Sequence, residues 1–157
     1  MTSKAWFWPA MLAGAALDLA TKHIAFANLG DSQYVNVVPH LLGFVRSENE
    51  GALFGMRLGG GLVLAVLSLL AVGLLIYFLH KSKASGVWLP IAYGTIAAGA
   101  LGNMADRLFN DGRVRDFIDL HIGNHHWPTF NVADVLICIG VGMVIYAEFR
   151  KGKRAEG

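Results

Sequence analysis

The stretch Gly102–Asp134, GNMADRLFNDGRVRDFIDLHIGNHHWPTFNVAD, decides how this chain is read. It holds five of the protein's eleven acidic residues, in a chain that is otherwise mostly apolar. Asp106, Asp116, Asp119 and Asp134 lie at or near the ends of two hydrophobic runs, and Asp111 lies between them. A carboxylate at a hydrocarbon boundary is costly to desolvate, so a cluster of them there requires a cause. The expectation is that Asp116 and Asp134 form a catalytic pair held at one membrane surface.

The surrounding composition defines the class. Of 157 residues, 55% are hydrophobic and 15% are charged, against ~25% charged in ordinary soluble domains. Mean hydropathy is +0.49. These values predict a single integral-membrane domain, residues 1–157. The net charge is +2. Its basic residues gather at the ends of apolar runs, which is a topology pattern and sets nucleic acid aside.

Four spans are expected, over approximately residues 5–27, 58–79, 84–107 and 131–149, each near the ~20 residues that cross a bilayer. The middle two are almost free of charge. The outer two carry Asp18, Lys22 and His23, and Asp134 and Glu148. The N-terminus has the look of a signal peptide, yet its apolar character resumes beyond Asp18, so it reads as a retained span.

Lys4, Lys81, Lys83 and the Arg150–Arg154 tail then share one side, which places both termini in the cytoplasm. The opposite side holds Arg46, Arg57, Arg107, Arg113 and Arg115, which weakens the charge rule. Regions 28–57 and 108–130 are extracytoplasmic. Within them YVNVV (34–38), LLGFVRSEN (41–49) and RVRDFIDLHI (113–122) read as strands of a small sheet, or cradle. Residues 49–56 read as a short helix or turn. The fold class is thus a mostly α membrane protein with a small extracytoplasmic sheet.

In this arrangement Asp18 and Lys22, Asn103, Asp106 and Arg107, Asp116, and Asn131 with Asp134 all reach one level. Two nearby carboxylates share a proton, and such a pair can activate water against a peptide bond. Equally, each aspartate can cap a helix start or pair with Arg107, Arg113 or Arg115. Spacing alone does not choose. Asp18 and Lys22, at i and i+4, are expected to form a salt bridge. Asp106 and Arg107 are read as an ion pair that fixes the end of the third span. The single Cys138 packs in an apolar run, and His125 and His126 read as a loop pair without a metal role.

Five patches decide the matter by resemblance. DLATK (18–22), NEGALFG (49–55), GNMADR (102–107), VRDFID (114–119) and FNVAD (130–134) resemble, in order, the conserved boxes of lipoprotein signal peptidase, signal peptidase II. The resemblance covers nearly the whole chain. It implies a membrane-embedded aspartic endopeptidase that cuts prolipoproteins just before a diacylglyceryl-bearing cysteine, in the bacterial cytoplasmic (inner) membrane. It implies catalysis by Asp116 and Asp134, a site lined by Asn49, Asn103, Arg107 and Asn131, and support from Asp18, Lys22 and Asp106. No metal or cofactor is implied. The expected partners are lipidated prolipoproteins, membrane lipid and a globomycin-like inhibitor, acting on a monomer. Phe109–Gly112 is one residue longer than the family's commonest spacing. Asp111 and Asp119 are left as bystanders. A proton or ion conductor, or a purely structural membrane bundle, are the competing classes.

Overall fold

Four helices carry the chain between the two ends of the molecule, and a four-stranded sheet lies at one of them. The computed structural model describes residues 3–31, 33–51, 60–82 and 86–155, with side chains to residue 150. After a 3-10 turn at Ser3–Trp6, the order is α1 (Phe7–Asn28), β1 (Tyr34–Val38), β2 (Leu42–Asn49), α2 (Gly61–Lys81), α3 (Trp88–Phe109), β3 (Val114–Ile122), β4 (His125–His126) and α4 (Val132–Ala155). The helices fall where the apolar runs predict them. Gly61–Lys81 and Val132–Arg150 are long and apolar enough to cross a membrane. The helices α1 and α3 are as long, 22 residues each, but turn charged and small residues inward and are less apolar for that reason. The short helix expected at 49–56 lies largely outside the described residues; Asn49 itself ends β2.

The centre of the bundle is α3, which packs on α1, α2 and α4. Its small residues permit this. Ala97 and Ala98 are fully buried, and a side chain at Gly99 would collide with the carbonyl of Ala133 on α4. On α1, a Cβ at Gly14 would lie 2.7 Å from Ala98 Cβ. Phe7, Met11, Val72, Leu79, Ala97 and Ala100 form the apolar core. The outer faces of α2 and α4 expose Leu62, Leu70, Ile145 and Phe149, a distribution suited to a hydrocarbon solvent. Near the sheet the core changes character, and the fully buried side chains there are Asp18, Lys22, Asp106 and Asn131.

The sheet is antiparallel, in the order β1-β2-β3-β4. Pro39 and His40 (φ 62°) make the β1–β2 turn, closed by Leu41 N–H donating to Val38 O at 3.1 Å; a type II turn has this form. Between α3 and β3, Asp111 (φ 49°) and Gly112 (φ 80°) occupy the two positive-φ positions of a tight turn closed by Arg113 N–H to Asn110 O at 2.8 Å. The long 109–112 segment is therefore a compact reversal. It sends β3 straight back over the end of α3.

Candidate active site

The last turn of α3 and the reversal after it bring the first polar groups together. Asn103 and Asp106, at i and i+3, face α1, where Asp18 and Lys22 are one turn apart. The Lys22 ammonium contacts Asp18 Oδ2 at 2.8 Å, Asp106 Oδ2 at 3.0 Å and Asn103 Oδ1 at 2.9 Å. The Asp18–Lys22 pair is as expected. The Asp106–Arg107 pair is not formed. Neighbouring residues on a helix point ~100° apart, and Asp106 instead accepts from Arg115 N–H at 3.0 Å and Arg115 Nε at 2.8 Å. Arg107 turns the other way, to Asn103 O at 3.2 Å and Gly51 O at 3.4 Å.

The start of α4 supplies the next layer. Asn131 Oδ1 accepts from Asp134 N–H at 3.2 Å, and Asp134 Oδ2 accepts from Asn131 N–H at 3.1 Å. This reciprocal arrangement satisfies amides that a helix start leaves without partners. It is itself held by α1, because Asp18 Oδ1 accepts from Ala133 N–H at 2.8 Å.

Asp116 then meets this layer from β3. Asn131 Nδ2 donates to Asp116 Oδ1 at 2.6 Å and to Asn103 Oδ1 at 3.2 Å, and Asn103 Nδ2 donates to Asp134 Oδ1 at 3.0 Å. One asparagine thus touches both aspartates, and a second ties Asp134 to the Lys22 charge. From β2, Asn49 lies near Asp116 and favours its ionised form. Asp116 is 2% exposed and Asp134 is half-buried. Among the described residues neither forms a salt bridge. Arg113 is taken by Glu48 and Glu50, and Arg115 by Asp106. Burial, then the facing Asp134 carboxylate, push the Asp116 carboxyl up to about 7, against the opposing pull of Asn131, Asn49 and Lys22.

A bulge aims Asp116. The amides of Phe117 and Ile118 both donate to Phe130 O, at 3.1 and 2.9 Å. At that point the buried positions of β3 pass from even (Val114, Asp116) to odd (Phe117, Asp119, His121). Asp116 pairs with Ser47 across β2. Ser47, Asn49, Gly51 and Thr129 line a cleft of ≈ 300 Å³ beside it. Chemically, the arrangement offers two carboxyls of unlike environment, bridged by amides, with the cleft-lining Ser47 paired to Asp116 from β2.

Every site residue expected from the sequence lies in this network. The parts the sequence did not disclose are Arg115 on Asp106 and the Asp18 bond to α4. Asp119, expected to stand outside the catalytic pair, has partners of its own. It is 4% exposed and bonded to Tyr34, His121 and His126, away from Asp116. The alternation Asp119-x-His121, followed by a Gly-Asn turn and His126, was the signal available for that second cluster.

The family model described as Signal peptidase (SPase) II matches residues 10–150. The lipoprotein signal peptidase of Thermodesulfovibrio yellowstonii is 42% identical over 137 residues, covering 86% of this chain and 88% of that protein. That of Aeromonas hydrophila is 38% identical, covering 96% and 92%. A solved bacterial membrane enzyme, determined by the in meso method at 2.3 Å resolution, superposes with a TM-score of 0.84 at 30% identity, over 94% of this chain and 90% of that one. A second, at 1.9 Å resolution, gives 0.79 at 31% identity, over 90% of each. With matches of this extent, the chain belongs to the signal peptidase II family.

Proposed function

We propose that this protein is a membrane-embedded aspartic endopeptidase that removes signal peptides from prolipoproteins, cutting just before a diacylglyceryl-bearing cysteine. The observation that carries the assignment of the catalytic groups is the bridge through Asn131, which holds Asp116 and Asp134 together, with no described arginine in a salt bridge to either.

The chemistry follows from that pairing. Asp116, with its raised pKa, carries the proton and donates it to the scissile carbonyl oxygen. Asp134 accepts a proton from the attacking water. A tetrahedral diol forms; Asp134 then gives its proton to the leaving amine while Asp116 takes one back from a diol hydroxyl, so that the C=O re-forms as the C–N bond breaks. Asn103, Asn131 and Asn49 fix the carboxyl planes. Arg107, whose charge is felt by Asp134 and Asp116, offsets negative charge in the cleft. Asp18, Lys22 and Asp106 hold the supporting frame.

The setting suits a lipid-bearing substrate. Four spans, both termini in the cytoplasm and a site at the extracytoplasmic leaflet of the inner membrane would let a diacylglyceryl group remain in lipid while the peptide enters from the side. The same cleft suits a cyclic peptide inhibitor of the globomycin type, and one chain contains every group invoked, so a monomer suffices.

The test is cleavage of a lipidated prolipoprotein in membranes. Asp116→Asn and Asp134→Asn should each abolish it while the protein stays folded; full activity in either sinks the pair. Cleavage of an unlipidated substrate at an equal rate removes the lipid requirement.

A further inference from the structure

The second polar cluster lies on the sheet, and the peptidase chemistry uses none of it. His121 and His126 face each other across the β3–β4 hairpin, whose Gly123 (φ 59°) makes the two-residue turn. Asp119 lies two residues before His121, so both point to one face of β3. His126 Nδ1 is 2.9 Å from each Asp119 oxygen, and His121 Nδ1 is 3.2 Å from Oδ2. From β1 the Tyr34 hydroxyl donates to Asp119 Oδ2 at 2.8 Å and lies 3.2 Å from His121 Nδ1. One donor atom from each of Asp119, His121 and His126 falls within 4.8 Å of the others.

We propose that Asp119, His121 and His126 bind one zinc-type divalent cation, with the Tyr34 oxygen or a water in the fourth position. Zinc takes nitrogen and carboxylate ligands tetrahedrally at about 2.0–2.2 Å, which sets neighbouring ligand atoms roughly 3.3 Å apart. The Asp119–His spacings of 2.9 and 3.2 Å are already close to that, and the two histidines come to it by a turn of one ring. Two imidazoles and one carboxylate select zinc, nickel or copper over magnesium or calcium, which take oxygen. The cation replaces the protons that otherwise hold Asp119 to its neighbours, so binding releases protons. The two imidazoles are stacked at 4.8 Å with 18° between their planes, and stacked rings cannot both hold an ion in plane. His126 makes the change, because its side chain is 52% exposed and free to turn. It is also the path by which an ion enters. Bound there, the cation ties β1, β3 and β4 together three residues from Asp116.

The test is direct and independent of peptidase activity. The full chain, without a histidine tag and stripped with chelator, is titrated with zinc chloride by calorimetry and with cobalt(II) by visible absorption. One equivalent should bind, with tetrahedral cobalt bands and a raised Tm. His126→Ala and His121→Gln should each weaken binding at least about tenfold, and His125→Ala should not. His126 is at the surface, so its variant decides if the His121 variant does not fold; cooperative thermal unfolding in detergent reports its fold. Zinc binding that is absent from the parent chain, or that survives either ligand substitution as an adventitious ion only, overturns the site.

Discussion

Asp116 has a raised pKa with opposite consequences for stability and chemistry. Its carboxyl titrates at about 7 in the folded protein, against 3.8 for the ordinary group. The native state therefore binds this proton more tightly than the unfolded chain. The contribution to stability is fully present below about pH 4 and is lost as pH rises through 7. Asp116→Asn cannot ionise and its amide oxygen can still accept from Asn131. Its Tm is expected to match the parent's at pH 4 and exceed it at pH 8, although cleavage is abolished; a lower Tm at pH 8 contradicts the account. In the parent, cleavage should fall as pH rises past about 7 and the proton donor is lost. Lys22 shows how far single residues could be read. Its pairing with Asp18 followed from i,i+4 spacing, but its bond to Asn103, 81 positions away, required the fold. Lys22→Met leaves Asp18 buried without its cation and Asp106 with Arg115 alone, and is expected to cost about 3–5 kcal/mol in unfolding measured in detergent.

The elements differ in how plainly their sequences announce them. Helices α2 and α4 are legible as apolar runs, and β1, β2 and β3 as runs of β-branched and aromatic residues. A two-residue strand such as β4 leaves no periodicity to detect, and the bulge at Phe117–Ile118 depends on Phe130, which approaches only after the chain has turned back. Packing around α3 was readable as small residues but not as partners. Gly102 illustrates this: a side chain there meets Asp18, the residue that holds the start of α4 through Ala133 N–H. Gly102→Ala is expected to lower stability by about 1–3 kcal/mol and to reduce cleavage by loosening Asn131 and Asp134. Gly142→Ala, where an added Cβ meets nothing within 4 Å, should leave Tm and cleavage near those of the parent. Equal effects of the two substitutions would remove close packing as the explanation.

At the scale of the molecule, three of the arginines near the sheet have local partners. Arg46 pairs with Asp31, Arg113 with Glu48 and Arg115 with Asp106, so these arginines near the sheet are locally neutralised. At the opposite end Lys4 donates to His80 O at 2.8 Å, and Lys81 and Arg150 lie over Tyr77 and Tyr146. Cations resting on aromatic rings at helix ends suit a membrane–water boundary. The end with Lys4, Lys81 and Arg150 should therefore face the cytoplasm and the sheet the other side. In a Cys138→Ala background, Asn124→Cys on the β3–β4 turn should react with a membrane-impermeant maleimide in intact spheroplasts. Ser82→Cys, beyond α2, should react only after the membrane is opened. The reverse labelling would invert the orientation and place the cleft out of reach of a substrate whose lipid lies in the outer leaflet, so it would remove the membrane setting of the proposed peptidase while leaving the Asp116–Asp134 chemistry to be judged on its own.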